Sequence, residues 1–267
     1  MRTNSYFCNE PTIISFSGGR TSAYMLYKTL EAHNGTLPDD VKVCFANTGK
    51  EMLQTLQFVD DCSKNWNVEI VWLEYTGKKK YKVTNFEDSS KNGEPFDQLT
   101  TDKKYLPNMV ARFCTSELKV LTINRYLADQ GFDEFQTMVG IRADEPRRVV
   151  KMRSKDDYLV PLADEKITKE DIFNFWSQQP FDLQMPNRNG VNDFGNCDLC
   201  FLKGGALKMS IIEQFPEKAT WWAEQEKKIG GLFRSDQPSY ERMQIIATDQ
   251  GGFDFGEDPT IGCFCGD

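Results

Sequence analysis

The sequence predicts an α/β protein: an open, mostly parallel twisted sheet with helices on both faces, followed by a smaller, mainly helical C-terminal section that carries a cysteine cluster. Two observations predict this. Short apolar runs at Thr12-Ile13-Ile14-Ser15-Phe16, Val41-Lys42-Val43-Cys44-Phe45-Ala46, Val68 to Tyr75 and Phe135 to Gly140 alternate with segments of helical periodicity, the pattern of right-handed strand–helix–strand crossovers. Beyond Pro161 the strand signals fade and helical patterns prevail. The predicted division is residues 11–160 for the α/β domain and 161–267 for a C-terminal section packed on it, with no linker between them.

The first apolar run breaks into Ser17-Gly18-Gly19-Arg20-Thr21-Ser22 and then into a helix from Thr21 to about His33, where Ala23, Leu26, Tyr27 and Leu30 recur before the Asn34-Gly35 stop. A strand–glycine turn–helix points free N–H groups at an anion. Ser17 and Ser22 add hydroxyls, and glycine lets the main chain approach a phosphate without a Cβ in the way. Neither Gly-Lys-[Ser/Thr] nor Gly-x-Gly-x-x-Gly is present at the required place; the alternative is a tight turn with glycine for geometry alone.

The second run ends in the turn Asn47-Thr48-Gly49-Lys50-Glu51, where open α/β sheets place ligands. Met52 to Trp66 reads as a helix and Val68 to Tyr75 as a third strand, with Cys44 and Cys62 at apolar positions of the core. Residues 76–110 are polar with little periodicity and read as a functional loop or a partly disordered one. Cys114 then falls at a predicted helix N-terminus, where the dipole favours thiolate. Arg142, Arg147, Arg148 and Lys151 follow the fourth strand and suit a clamp on phosphate or sulfate oxygens, or an Arg/Glu-laced surface loop. Thr168-Lys169-Glu170-Asp171 has the form of a capping box opening a helix to Trp176, and helices are expected over Ala206 to Phe215 and Glu217 to Lys228.

Composition narrows the chemistry. A net charge of -8 argues against a general phosphate-backbone binder, although Lys78-Lys79-Lys80 with Lys82 is a dense cationic stretch. No apolar run approaches the roughly 20 residues that span a bilayer, and a polar start predicts a cytoplasmic protein without a membrane partner. His33 is the single histidine, so Ser–His, Cys–His and multi-histidine metal chemistry lose a required partner; before Asn34-Gly35 it is expected to face the last carbonyls of its helix.

Eight cysteines in such a chain point to metal or redox chemistry where they cluster. Asn196-Cys197-Asp198-Leu199-Cys200 holds the Cys-x-x-Cys, and Gly262-Cys263-Phe264-Cys265-Gly266-Asp267 ends the chain. With Cys114, the Cys-x-x-Cys and one of the terminal pair, four thiolates are available, which suit a [4Fe–4S] cluster or a Cys₄ Zn²⁺ site; spacing does not separate the two. One sulfur of Cys263 and Cys265 completes the set and the other stays free as a nucleophile or persulfide carrier.

Ser17-Gly18-Gly19-x-x-Ser22 resembles the pyrophosphate loop of the adenine nucleotide α-hydrolase superfamily. With Asn47-Thr48-Gly49-Lys50-Glu51, Arg112-Phe113-Cys114-Thr115 and Lys119, Gly140-Ile141-Arg142-Ala143-Asp144-Glu145 and Asn196-Cys197-x-x-Cys200, the order of motifs resembles the phosphoadenosine phosphosulfate reductase family over most of the chain. The resemblance implies an adenine nucleotide with phosphates on Ser17 to Ser22 and ribose or base near Thr48 and Gly49, and a cluster on Cys114, Cys197 and Cys200. It also leaves two chemistries. One is cleavage of ATP, with Mg²⁺, to AMP and pyrophosphate, activating an acceptor (a nucleic-acid base, a metabolite or a protein thiol) for sulfur from a donor. The other is reduction of a sulfonucleotide by Cys265 with a thioredoxin-like reductant. The reductases end in Glu-Cys-Gly-[Ile/Leu]-His, whereas Cys265-Gly266 is followed here by Asp267; that departure and the full Ser-Gly-Gly-x-x-Ser loop favour ATP, with Ser17 and Arg142 stabilising charge on the leaving group. A nucleotide or cluster sensor without turnover is the non-enzymatic alternative.

Overall fold

The computed structural model describes residues 4–185, 187–188, 191–192 and 194–249; Cys263 and Cys265 lie outside the described residues. In chain order the elements are β1 (Thr12–Phe16), α1 (Arg20–Ala32), β2 (Val41–Asn47), α2 (Leu53–Trp66), β3 (Ile70–Gly77), β4 (Lys80–Thr84), α3 (Glu94–Lys103), a π-helical segment (Thr115–Val120), α4 (Leu121–Asp129), β5 (Gln136–Val139) and α5 (Pro146–Arg153). They continue with β6 (Tyr158–Leu159), α6 (Pro161–Asp164), α7 (Lys169–Trp176), β7 (Asn187–Arg188), β8 (Val191–Asn192), α8 (Gly205–Gln214), α9 (Glu217–Ile229) and α10 (Tyr240–Thr248).

The main sheet has the order β4-β3-β2-β1-β5-β6. All its pairings are parallel except β3 with β4. From β1 the chain winds outward through β2 and β3, then returns to add β5 on the other side of β1. The crevice outside the carboxyl ends of β1 and β5 is therefore the topological switch point, where open sheets bind ligands.

Strand alternation assigns the two faces. Ile14, Phe16, Val43, Phe45 and Trp72 pack with α1 and α2 in the main core, which also takes Cys62 and Cys8. Ile13, Cys44, Val71 and Leu73 face Tyr126 and Leu127 of α4. Cys44 and Cys62 are fully buried, as their apolar positions predict. The Thr168 capping box is formed: Asp171 accepts from the Thr168 N–H and hydroxyl, both at 2.7 Å.

Three expectations are corrected. The polar stretch 76–110 is not a structureless loop but holds β4 and α3. β4 is an edge strand exposed along most of its length, so it shows no buried alternation. Its partner Glu74, fully buried, is held by Asn47 Nδ2 (2.6 Å), the Ser90 N–H (2.6 Å), Ser90 Oγ (2.7 Å) and Lys82 Nζ (2.9 Å). His33 does not face the end of its helix: its Nε2 accepts the Cys8 N–H at 3.0 Å and its ring stacks on Phe7 at 4.4 Å. Cys114 is not a dipole-activated thiolate, because burial pushes its thiol up to about 12.

Candidate nucleotide and thiol site

The Ser17–Ser22 loop leaves the end of β1 and folds over onto α1. Its serines hold one another: the Ser17 N–H reaches Ser22 Oγ at 3.2 Å, the two hydroxyls lie 2.9 Å apart, and Ser22 Oγ donates to the Gly19 carbonyl at 3.0 Å. Gly18 takes φ +80° with Thr55 and Val59 of α2 beneath it, a conformation that only glycine adopts at little cost. No side chain caps α1 and no acidic residue stands in its first turn, so the positive end of the helix opens onto the switch point.

β5 closes the other side. A Cβ on Gly140 would stand 3.0 Å from Ser22 Cα, so glycine lets the strand end lie against the first turn of α1. Arg142 Nη1 reaches Thr21 Oγ1 at 3.3 Å, while its Nε binds Asp144 at 2.9 Å. Glu145 takes the Arg142 N–H at 3.1 Å and pairs closely with Arg148. Arg147 is exposed on α5. Arg20 is turned away from the loop: its guanidinium binds Asp182 in a bidentate pair at 2.7 and 2.6 Å and the Leu183 carbonyl at 3.2 Å.

Below the loop, on the α4 face, lies a cavity of about 250 Å³. Its floor is Ile13, Ser15, Thr137 and Val139, with Ser17 at one end. One wall is Thr115, Lys119, Ile123 and Asn124, and the other is Arg148, Lys151, Met152, Lys155 and Tyr158. A floor of two apolar and two hydroxyl residues, with four cations on the walls, suits a flat ring system carrying anionic groups. Of the lining residues, Ser15, Thr137, Lys119 and Asn124 are absent from the site residues expected from sequence. The signal for the first two is legible: a hydroxyl residue at an inward position of each central strand, where the neighbouring inward positions are apolar.

A second cavity, about 20 Å³, is lined by Cys114, Cys197, Cys200, Thr48 and Trp222. Thr115 and Lys119 line both cavities and form the wall between them. The Asn47–Glu51 turn belongs to this second site. Thr48 donates its N–H and hydroxyl to Glu51 Oε2 at 2.9 and 2.8 Å and lies 3.4 Å from Cys197 Sγ. Asn47 Oδ1 accepts the Gly49 N–H at 3.0 Å, and Gly49 packs on Gly93. Glu51 pairs with Cys197 through a β-bridge and the Asp198 N–H binds the Lys50 carbonyl at 2.6 Å, so this turn docks the Cys-x-x-Cys segment. The structure thus places Thr48 at the thiol cavity rather than beside the larger one.

Burial raises all three thiols. Cys197 is held well above its ordinary range by burial, with Glu51 and Cys200 adding to the rise. For Cys200 burial again dominates, offset in part by Lys203, Lys208 and Lys119. Binding of a cation to such thiols would release their protons. The donor set is right in kind for a thiolate-ligated centre, and lysine charge falls where an anionic centre would sit. It is not a closed ligand shell: among the described residues no three His, Cys, Asp or Glu side chains form a group that could hold a metal ion.

Among the described residues no helix is long and apolar enough to cross a membrane. Residues 11–175 match the family model of the phosphoadenosine phosphosulfate reductase domain. The chain is 35% identical over 202 residues to an uncharacterised nin-region protein of Escherichia phage lambda, across 72% of this chain and 66% of that protein. It is 28% identical over 146 residues to an uncharacterised protein of Methanocaldococcus jannaschii, across 54% of this chain. The chain thus spans just under two thirds of the first relative and a quarter of the second. With more than half its length matching that model, and its motifs lying at the switch point of a parallel sheet, the chain belongs to the phosphoadenosine phosphosulfate reductase domain family.

Proposed function

We propose that the protein binds ATP across the switch point and cleaves it between the α- and β-phosphates, activating an acceptor for sulfur transfer. One observation carries this reading: the uncapped first turn of α1 opens beside a cavity with a floor of apolar and hydroxyl residues and cationic walls. The family supports a nucleotide-using, sulfur-related enzyme; the choice of ATP rests on the complete Ser-Gly-Gly-x-x-Ser loop.

In this reading the base and ribose lie on the strand floor and the phosphates on Gly18 to Ser22. A nucleophilic oxygen or sulfur of the acceptor attacks the α-phosphorus, forming the adenylated acceptor as the bond to the bridging oxygen breaks and pyrophosphate leaves with that electron pair. The N–H groups of the α1 first turn, Ser17, and Arg142 through its reach toward Thr21 stabilise the charge on the leaving group. Lys119 and Arg148 face the α-phosphate from opposite walls. Mg²⁺ arriving with the triphosphate supplies further charge neutralisation. Cys114, Cys197 and Cys200 would hold an iron–sulfur or zinc centre only with a further ligand and a tighter grouping than the described residues form; such a centre would supply thiophilic chemistry on the far side of Lys119.

The test is made anaerobically with purified protein. ATP and Mg²⁺ should release AMP and pyrophosphate when a competent acceptor is present, and α,β-methylene ATP should bind in its absence. Ser17→Ala should lower the turnover by about 10²-fold, as for loss of one stabilising donor. Thiol-dependent sulfite release from phosphoadenosine phosphosulfate, with no binding of the ATP analogue, would replace this reading with the reductase one. Binding unaccompanied by turnover with any acceptor would leave a sensor.

A further inference from the structure

The β3–β4 turn and the loop after α3 form one surface. The turn carries Lys78, Lys79 and Lys80, all exposed. It follows Gly77, which sits 4.0 Å from Asp102 Oδ2 measured from an ideal Cβ, and Tyr75 ties the same carboxylate at 2.7 Å. Lys104, two residues beyond Asp102, is exposed as well. Lys79 and Lys104 both take left-handed backbone, φ 60° and 59°.

Several surface lysines of this acidic chain are paired with carboxylates: Lys28 with Glu31, Lys64 with Asp60, Lys103 with Glu117, and Lys227 with Glu241. Lys78, Lys79, Lys80 and Lys104 have no carboxylate partner among the described residues. Four exposed lysines on two neighbouring turns, with the Asp102 carboxylate between them already held by Tyr75 and Gln98, mark a surface suited to a polyanion.

Beside them stands an apolar knob. Asn108 Oδ1 accepts the Val110 and Ala111 N–H groups at 3.0 and 2.9 Å, a turn that presents Met109 and Val110 at its tip. Val110 is 96% exposed, Met109 39% and Tyr105 46%. Tyr105 packs edge-on against Phe113 at 4.6 Å, next to Cys114. An exposed aromatic and an apolar tip beside a lysine row are the two parts of a single-strand binding surface: a stacking platform and charges that track the backbone. Tyr and Met also serve protein interfaces, so an acidic protein partner is an outcome the test separates.

We propose that Lys78–Lys80, Lys104, Tyr105 and the Met109–Val110 tip form a docking surface for single-stranded nucleic acid. The loop runs directly into the π-helical segment whose Thr115 and Lys119 line both cavities, which links the surface along the chain to the proposed reaction site. This deepens the reading above by naming the acceptor as a nucleic-acid base, and the binding itself needs no ATP.

Fluorescence anisotropy with labelled 20-nucleotide single-stranded DNA and RNA, recorded against salt without nucleotide, tests it. The protein should bind at low salt and weaken as salt rises. Lys79→Asn with Lys104→Asn keeps residues that tolerate left-handed backbone and should reduce the slope of log K against log salt by about 1.4, at about 0.7 per phosphate contact. Val110→Ser, at a position without packing, should weaken binding roughly three- to tenfold at unchanged slope, as loss of an apolar wedge does. No binding at low salt, an unchanged slope in the double variant, or equal competition by polyglutamate would overturn the proposal, the last in favour of an acidic protein. Oligonucleotide binding without pyrophosphate release keeps the surface and loses the reaction; the reverse loses the surface alone.

Discussion

At Gly18 two constraints coincide. Its φ is +80°, and a Cβ there would stand 2.6 Å from Thr55 Cγ2 and 3.2 Å from Val59 Cγ2. Gly18→Ala should therefore destabilise the protein by about 2–3 kcal/mol, from left-handed backbone and overpacking together, read as a lower urea midpoint at unchanged m value. Gly140 is constrained differently: its added methyl would meet Ser22 backbone at 3.0–3.2 Å without a backbone penalty of its own. Gly140→Ala should cost about 1–3 kcal/mol of stability in urea unfolding by pressing on the Ser22 backbone and weaken α,β-methylene ATP binding at least tenfold; unchanged binding in the folded variant would show a merely structural glycine. The Ser-Gly-Gly turn was legible because its residue types have few other uses. The state of Cys114 was not, because a helix N-terminus can be read from a sequence and burial of that one sulfur cannot.

Elements were legible where packing imposes a period. β1, β2, β3 and β5 carry apolar residues on both faces and α1 and α2 carry an apolar stripe, so each was found to within a residue or two. β4 and α3 were missed because an edge strand and a helix burying only Pro95, Phe96, Leu99 and Thr100 leave little pattern. The π-helical segment has no pattern to read either, and is held from both sides through Glu117, which takes Lys103 of α3 at 2.8 Å and Arg125 of α4 at 3.1 Å. The Lys103 hydrogen bond is the main cause that holds the Glu117 carboxyl below its usual range, against the opposing effect of burial. A depressed folded pKa means stability that is fully present above the unfolded value, about 4.3, and is lost as pH falls through the folded one. Glu117→Gln should thus lower the thermal midpoint at pH 7, by a deficit that shrinks progressively as pH falls below about 4.3. A deficit that does not change with pH would assign the effect to packing.

Across the whole molecule the C-terminal section is fastened to the sheet by buried charge. Arg20 holds Asp182 on one side, and on the other Lys50 at the end of β2 stands 3.1 Å from Asp198, between the two cysteines of the Cys-x-x-Cys. Trp222 of α9 donates to the same carboxylate at 2.8 Å, and Lys50 lies 4.8 Å over the Trp221 ring. Both members of the Lys50–Asp198 pair are almost fully buried, so removing one charge strands the other in a low-dielectric interior at a cost of about 3–5 kcal/mol, whereas removing both costs less. Asp198→Asn should therefore lower stability strongly and Lys50→Met with Asp198→Asn should recover part of the loss. The pair also fixes the loop that brings Cys197 and Cys200 to face Cys114. In the single variant those thiols should react with a disulfide reagent at least tenfold faster under native conditions, with the double variant intermediate. Native-like labelling in Asp198→Asn would mean that the apolar packing of Leu199, Phe201 and Trp222 holds the thiol cavity closed without the charge pair.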